Sequence, residues 1–222
     1  MTELSLIFPI LMLAKGFTAY KDRDYSVAFK EWESHAKNGN AVAQYSLGLL
    51  YSKGQGVAQN YVTSAKWLSI SAKQGYDLAQ FNLGWMYQNG QGVKNDNVMA
   101  KHFYELAATQ GHTNAQYNLG LLCSKGEGVP QDYSAALKWY TIAAENGNDF
   151  SQHNLGRMFH LGRGVVKDYI TAFKWYMLAA KQGNTNSQVN IGQMYMAGLG
   201  VLNNNVYAHM WMDVAAINGR AN

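Results

Sequence analysis

Three side chains that can bind an anion share one predicted helix face in the second half of the chain. His153, Arg157 and His160 are four and three residues apart, the spacing that places side chains along one side of an α-helix. A guanidinium donates two parallel hydrogen bonds to a carboxylate, and neighbouring histidines can donate more, whereas the same cation repels a metal ion. The trio therefore predicts an anion site. Three solvated polar side chains are an equally weighted alternative.

Other features that could support catalysis occur without their usual partners. Cys123 is the only cysteine, so no internal disulfide can form, and its place among apolar positions predicts a buried thiol. Gly-x-Gly sequences recur, but without the Lys-Ser/Thr of a phosphate-binding loop or the strand and third glycine of a dinucleotide-binding fold. The sequence therefore predicts a protein that is not an enzyme, with no catalytic, metal-binding or cofactor-binding residues.

The Gly-x-Gly sequences recur with a fixed period of 36 residues. They begin at Gly54, Gly90, Gly126, Gly162 and Gly198. A second motif, Leu/Ile-Gly, keeps the same period at Gly48, Gly84, Gly120, Gly156 and Gly192. A period of this length indicates copies of one supersecondary unit stacked in an array.

Columns of the repeat predict where its helices begin and end. One column caps a helix B: Asp24, Asn60, Asp96, Asp132, Asp168 and Asn204. Another predicts caps for a helix A: Asp77, Thr113, Asp149 and Thr185. A glycine column suits the left-handed residue after a helix: Gly39, Gly75, Gly111, Gly147, Gly183 and Gly219. In the first full copy, helix A is predicted at about Val42 to Ser52 and helix B at about Tyr61 to Lys73.

Two positions within the helices predict how they pack. The mid-helix glycine of the Leu/Ile-Gly pair costs about 1 kcal/mol relative to alanine, so we expect a close contact with a neighbouring helix there. Helix B carries a large aromatic residue that we expect in the core: Trp67, Phe103, Trp139, Trp175 and Trp211.

The combined pattern resembles a known family. Ala-x-Ala-Gln-x-x-Leu-Gly-x-x-Tyr-x-x-Gly-x-Gly-Val, followed by Asp-Tyr-x-x-Ala-x-x-Trp-x-x-x-Ala-Ala-x-x-Gly, resembles the Sel-1-like repeat (SLR) family, a relative of the tetratricopeptide repeat. The resemblance covers a half repeat at residues 24–39 and full repeats 1 to 5 at residues 40–75, 76–111, 112–147, 148–183 and 184–219. It implies an all-α, right-handed α/α solenoid of helix-turn-helix repeats. Such proteins serve as adaptors or scaffolds, commonly in bacteria, and helix A lines the concave wall.

The relationship to tetratricopeptide units identifies candidate binding positions on helix A. Two columns are expected to face the groove. The first contains Tyr45, Phe81, Tyr117, His153 and Val189, and the second Leu49, Trp85, Leu121, Arg157 and Gln193. The column between them contains Ser46, Asn82, Asn118, Asn154 and Asn190. These amides either pair with the backbone of an extended peptide or hold adjacent repeats together.

These positions predict a groove with an aromatic half and a basic end. The aromatic half contains Tyr45, Phe81, Trp85 and Tyr117, and the basic end His153, Arg157 and His160. Because aromatic and Arg side chains are enriched at binding hot spots, the predicted function is a non-enzymatic adaptor that holds a segment of another protein, with an acidic group on Arg157. The alternative is a cell-envelope enzyme or glycan-binding protein that acts on cell-wall material, with aromatic rings stacked on sugars.

Composition limits the partners of the array. The formal net charge is +4 and only 14% of residues are charged, with basic residues spread over many repeats. This density is too low for the phosphate contacts of non-specific nucleic-acid binding, so we expect no nucleic-acid partner. No Pro-rich or Ser-rich linker interrupts the repeats, which predicts a single solenoid domain.

The two ends carry separate predictions. Residues 1–23 are either a signal peptide, with a hydrophobic core at residues 4–14, or a degenerate first helix. The first interpretation predicts a periplasmic or secreted protein and the second a cytoplasmic one, and the segment is too short for a stable membrane span. At the other end, the last helix B carries Met210, Trp211 and Met212 without a following repeat, which predicts self-association through an uncapped apolar face.

Overall fold

Paired helices form the framework of the chain. The computed structural model describes residues 4–221, with side chains for residues 13–219. Residues 4–221 contain no strand and twelve helices: α1 (Leu4–Lys21), α2 (Tyr25–Lys37), α3 (Ala41–Lys53), α4 (Tyr61–Lys73), α5 (Asp77–Asn89), α6 (Asn97–Thr109), α7 (Thr113–Lys125), α8 (Tyr133–Glu145), α9 (Asp149–Leu161), α10 (Tyr169–Lys181), α11 (Thr185–Ala197) and α12 (Asn205–Ala221). They form two compact units, unit 1 (Met1–His112) and unit 2 (Thr113–Asn222). Within each unit, consecutive helices pack as in a solenoid, which confirms the predicted fold class.

The B helices, which are the even-numbered helices, begin where the sequence predicts. The side chain of Asn60 accepts a hydrogen bond from the Thr63 backbone N at 2.9 Å, and Asp132 accepts one from Ala135 N at 2.9 Å. The same cap occurs at Asp24, Asp96, Asp168 and Asn204. Because each cap satisfies an otherwise unpaired N–H, this column fixes the start of every helix B.

The A helices from α3 onward begin one residue earlier than predicted. Asn148, not Asp149, caps α9 by accepting from Ser151 N at 2.8 Å, and Asn40 and Asn184 cap α3 and α11 in the same way. Asp77, Thr113, Asp149 and Thr185 are instead the first helical residues. An N-cap needs an extended backbone, which Asn148 has, and an acidic residue in the first turn complements the helix dipole.

Two kinds of glycine permit close approaches. Gly56, in the Gly-x-Gly turn, has φ 68°, and a Cβ there would lie 2.2 Å from the carbonyl oxygen of Tyr25 in the preceding helix B. Gly156, in the middle of α9, would place a Cβ 2.6 Å from Cδ1 of Tyr176. The predicted close contact at the mid-helix glycine is therefore confirmed, and its partner is the helix B of the same repeat.

The buried residue of helix B lies one position after the predicted one. Trp67, Phe103 and Trp211 pack against the core, as predicted, but these residues, together with Trp139 and Trp175, are only half-buried. The buried column contains Leu68, Tyr104, Tyr140 and Tyr176. Consecutive residues in a helix differ by about 100° in direction, so only the later column faces the glycine of helix A.

Buried glutamines join successive repeats within each unit. Gln44 Nε2 donates to Ala36 O at 3.1 Å, and Gln74 Nε2 donates to Gln44 Oε1 at 2.6 Å. In unit 2, Gln152 Nε2 donates to Ala144 O at 3.1 Å, and its Oε1 accepts from Gln182 at 2.8 Å. Because both ends of each amide are paired, these buried polar groups stabilise the repeat interface.

The first helix packs as a helix A would. Gly16 of α1 faces Trp32 of α2, and the Phe17 and Trp32 ring centroids are 5.2 Å apart. Most of the predicted signal-peptide core at residues 4–14 lies outside the residues whose side chains are described. No helix within residues 4–221 is both long enough and apolar enough to cross a membrane.

The last helix differs from the other B helices at its end. Gly219 lies inside α12, so the left-handed conformation predicted for it was wrong. Val206 and Ile217 are 77% and 68% exposed. Self-association through this helix stays a prediction.

Candidate partner-binding clefts

In unit 1, the space between helices A of repeats 1 and 2 is almost filled. It is lined by residues of α3, α4, α5 and the turn after α5: Leu49, Ser52, Leu68, Asn82, Trp85 and Gln91. Its cavity measures about 50 Å³. We call it the aromatic cleft, because Trp85 remains 41% exposed at its edge.

In unit 2, the corresponding space between repeats 3 and 4 is open. It is lined by residues of α7, α8, α9 and the turn after α9: Ser124, Lys125, Tyr140, Asn154, Arg157 and Arg163. Its cavity measures about 450 Å³, a volume typical of ligand pockets. We call it the basic cleft, because three of its lining residues are cations.

A third cleft lies between repeats 4 and 5, also in unit 2. It is lined by His153, Arg157, His160, Tyr176, Asn190 and Gln193, and its cavity measures about 380 Å³. We call it the histidine cleft. Arg157 lines both this cleft and the basic cleft, so one guanidinium is accessible from two cavities.

The predicted site residues of unit 1 are only partly brought together. Asn82 and Trp85 line the aromatic cleft, whereas Tyr45 packs edge-on against Tyr76 with centroids 5.2 Å apart. Phe81 stacks on His112 at 4.4 Å. Asn82 donates to its own helix at Leu78 O (2.8 Å). One N–H of this amide is therefore used within α5.

In unit 2, the predicted residues divide between packing and the clefts. Tyr117 packs against Phe150 (5.8 Å) and Tyr140 (6.2 Å), and Asn118 is half-buried. The remaining four line the clefts: His153, Asn154, Arg157 and His160. The structure therefore brings the predicted basic trio together around one cavity.

The two histidines of the histidine cleft favour their neutral forms. Burial, and then the charge of Arg157, lowers the pKa of His153, and burial, and then Lys167, lowers the pKa of His160. His160 Nδ1 is buried and has no hydrogen-bond partner among the described residues. At neutral pH, Arg157 therefore supplies the positive charge of this cleft, while the imidazoles supply polar but uncharged walls.

His153 also forms a pair that could be mistaken for catalytic. Its Nδ1 lies 2.8 Å from Ser187 Oγ, the contact that a serine nucleophile makes with its base. Ser187 is 0% exposed at the start of α11, so a substrate cannot reach its hydroxyl. The described residues contain no group of three or more His, Cys, Asp or Glu side chains that could hold a metal ion. Cys123 is buried, as predicted.

Sequence reasoning missed two cations of the basic cleft. Lys125 ends α7, and Arg163 occupies the middle of the fourth Gly-x-Gly turn. A signal for Arg163 was present, because the same position in the other repeats holds Gln55, Gln91, Glu127 and Leu199. Arg163 is the only basic residue in its column, so the repeat framework does not require a positive charge at this position.

The repeats match a known family in sequence. A family model described as the Sel1 repeat matches residues 41–76, 77–112, 113–148, 149–184 and 185–219. No curated protein matches the chain in sequence.

Solved structures give the same result. A protective antigen of uropathogenic Escherichia coli that displays an SLR fold has a TM-score of 0.92 and 33% identity, over 95% of this chain and 46% of that one. This chain thus spans about half the length of that antigen. A Sel1 repeat protein from Oxalobacter formigenes has a TM-score of 0.87 and 33% identity, covering 94% and 83% of the two chains. An immunity protein from Pseudomonas aeruginosa has 18% identity and a TM-score of 0.58 over 93% of this chain and 82% of that one, which concerns the fold alone.

Proposed function

Because the chain belongs to the Sel1 repeat family, whose members generally serve as protein-interaction scaffolds, we propose that it binds a segment of another protein on the exposed face of its helices A. One observation supports this proposal: Trp85 in unit 1 and Arg157 in unit 2 occupy the same position of the repeat, and both side chains are exposed. Exposing an indole forgoes favourable burial, and both residue types are enriched at interface hot spots.

The two units offer different anchors for such a segment. In unit 1, Trp85 presents an apolar ring above an almost filled cleft, which suits an apolar side chain that packs on its surface. In unit 2, Arg157 lies between two open cavities, which suits an acidic group. The partner is therefore a protein segment that carries apolar residues, acidic residues, or both.

Binding in this proposal occurs without catalysis. The only cysteine is buried, and the histidine that contacts a serine does so at an inaccessible hydroxyl. Nucleophilic catalysis needs an accessible nucleophile beside its base, and these positions do not offer one. The groups that remain exposed on the helix-A face are binding groups.

Selection of peptides against the full chain tests the proposal. Random peptides displayed on phage are selected, and the enriched sequences are measured by fluorescence polarisation against wild type, Trp85→Leu and Arg157→Gln. Both replacements are residues that other repeats hold at this position, namely Leu49, Leu121 and Gln193. We expect at least one variant to weaken binding by about tenfold or more, with an unchanged melting temperature.

Two results would count against the proposal. One is a selection that enriches no peptide. The other is a set of peptides that bind both variants as tightly as wild type, because binding would then occur on a different surface. Lys94→Gln, in the turn before α6, is the control for a general effect of removing a surface side chain, and it should retain wild-type affinity.

A further inference from the structure

The aromatic cleft and the basic cleft are the same structural element in two pairs of repeats. Eight positions line both cavities, and the members of each pair are 72 residues apart, which is two repeat periods. The serine and asparagine are unchanged, as Ser52 and Ser124 and as Asn82 and Asn154. The cavity nevertheless grows from about 50 Å³ to about 450 Å³. Equivalent positions of the repeat therefore surround cavities of very different size.

Three of the eight positions differ in chemistry. Unit 1 holds Leu68, Trp85 and Gln91 where unit 2 holds Tyr140, Arg157 and Arg163. The residues that line the aromatic cleft carry no charge. The larger cavity therefore coincides with two added guanidinium groups.

The charge of the basic cleft is only partly balanced. Lys125 Nζ lies 3.4 Å from Glu127 Oε1, so this lysine and the one carboxylate among the lining residues face each other. Arg157 and Arg163 form no ion pair among the described residues, although both line the cavity. Two guanidinium groups are therefore available to an incoming anion.

The rest of the lining adds neutral polar groups. Gln131 Nε2 uses one N–H on Ser124 O at 2.9 Å, which leaves its second amide N–H for another acceptor. Tyr140 OH lies 3.2 Å from Ser124 Oγ, and burial raises the pKa of Tyr140, so its phenol stays neutral and does not repel an anion. The cleft thus combines two unpaired guanidinium groups with an amide donor.

We propose that the basic cleft binds a carboxylate of an acidic peptide segment, with Arg157 and Arg163 donating hydrogen bonds to its oxygens. A planar guanidinium matches a carboxylate with two parallel hydrogen bonds, and the cavity admits a side chain together with its neighbouring backbone. This inference rests on the proposed function and names the ligand class for unit 2. The aromatic cleft, which is filled and uncharged, does not bind this group.

The test uses three labelled peptides and the full chain at low salt. The probes are an amidated peptide of alternating Leu and Glu, its Gln-for-Glu twin, and that twin with a free C-terminal carboxylate. Fluorescence polarisation then distinguishes a side-chain carboxylate from a terminal one. The variants are Arg157→Gln, Arg163→Gln and Lys125→Asn, each a residue that another repeat holds at that position: Gln193, Gln91 and Asn89. The control is Lys53→Asn, at the position that corresponds to Lys125 in unit 1.

We expect wild type to bind one of the carboxylate peptides about tenfold more tightly than the amidated Gln twin. Each Arg→Gln variant should remove most of that preference. Lys125→Asn should change it by about twofold, because this lysine already faces Glu127, and Lys53→Asn should leave it unchanged.

Two outcomes overturn the inference: no preference for a carboxylate in wild type, including no measurable binding, or a preference that survives in the Arg157→Gln/Arg163→Gln double variant. Binding of the same peptides to the Trp85→Leu variant shows whether only this inference is wrong or the proposed function is wrong as well. If all three peptides bind equally and Trp85→Leu weakens them all, the helix-A face binds peptides and only the acidic ligand is wrong. If no probe binds, the peptide selection described above decides the proposed function independently.

Discussion

The aromatic cleft of unit 1 and the basic cleft of unit 2 have walls built from the same repeat positions, yet one is almost filled and the other holds a cavity of about 450 Å³. One framework contact agrees closely. Gln110 Nε2 donates to Gln80 Oε1 at 2.7 Å in unit 1, and Gln182 Nε2 donates to Gln152 Oε1 at 2.8 Å at the equivalent positions of unit 2. The clefts share this contact and eight lining positions, and three of those positions differ in chemistry.

The histidine cleft extends the comparison within unit 2. Six of its lining positions match those of the basic cleft one repeat further on, so Arg157 takes the place that Leu121 has in the basic cleft, and Gln193 takes the place of Arg157. Its walls carry His153 and His160, whose pKa values are both lowered by burial. The repeat framework therefore presents uncharged aromatic, cationic and imidazole-lined surfaces from one helix pattern.

Removing the buried ring of Tyr140, which lines the basic cleft, should have the largest effect on the free energy of unfolding. Tyr140→Ala leaves a cavity beside Gly120, whose position lets Tyr140 pack directly on α7, and should lower the free energy of unfolding by about 3–5 kcal/mol. Leu68→Ala, the matched change in unit 1, should cost about 2–4 kcal/mol. Urea denaturation followed by circular dichroism measures both. Tyr140→Phe, which keeps the ring and loses the contact with Ser124, should cost only about 1 kcal/mol. An equal cost for Tyr140→Ala and Tyr140→Phe would contradict a packing role for the ring.

Exchanging side chains between the clefts should transfer binding. Trp85→Arg combined with Gln91→Arg replaces the indole and adds both guanidinium groups in unit 1, so acidic-peptide binding should change from one site to two, each within about tenfold of the other. Isothermal titration calorimetry measures the stoichiometry. The reverse change, Arg157→Trp, should fill the basic cleft and abolish the first site. One site in the Trp85→Arg/Gln91→Arg variant, together with one site in the separate Arg157→Trp variant, would show that these positions do not determine binding.

Acidification should lower the melting temperature of wild type more than that of a variant without His153. Burial and Arg157 hold the pKa of His153 below its ordinary value of 6.5, so the unfolded chain takes up this proton first as the pH falls. This contribution to stability is present above about pH 6.5 and is lost below it. His153→Tyr, which imports the residue of Tyr45 and Tyr117, should therefore flatten the fall in melting temperature between about pH 7 and pH 5. Comparison at pH 8 separates any packing effect, and an unchanged slope would contradict the prediction.

Stability should change least at the cleft arginines. Arg163→Gln and Arg157→Gln should each alter the free energy of unfolding by less than about 0.5 kcal/mol, because both side chains are exposed and neither forms an ion pair among the described residues. Thermal melts with the same proteins used for peptide binding provide the measurement. A loss of several degrees would mean that these side chains support the fold, and their effect on binding would then need a stability correction.

Much of the fold follows from local sequence signals. Asp132 and its equivalents predict each start of helix B, because the cap is formed with a backbone group only three residues away. The helix-A caps were displaced by one residue, since Asn148 and Asp149 are both good cap residues and only the backbone angles distinguish them. The buried aromatic column was also displaced by one position. A column of aromatic residues indicates packing, but the direction of the helix-A glycine decides which of two neighbouring aromatic residues is buried.

The candidate site was predicted less completely than the fold. Trp85 and Arg157 were identified because the relationship to tetratricopeptide units marks their column as exposed. Tyr45 and Phe81 occupy a groove column by the same argument, but their rings pack on Tyr76 and His112, contacts that depend on neighbouring repeats. Their part in binding remains a prediction, as does that of Asn82.

By itself, the sequence determined the period, the paired helices, the caps of helix B and the glycines of the turns, because each depends on interactions within a few residues or on identical neighbours. Only the tertiary structure showed that Lys125, Arg157 and Arg163 line one cavity, since they come from two repeats and from both helices and turns. The volume of that cavity depends on side chains from separate repeats that face shared space, and it differs from about 50 Å³ in unit 1 to about 450 Å³ in unit 2. A repeat pattern specifies that space in every copy, and the side chains packed across it decide whether it stays open.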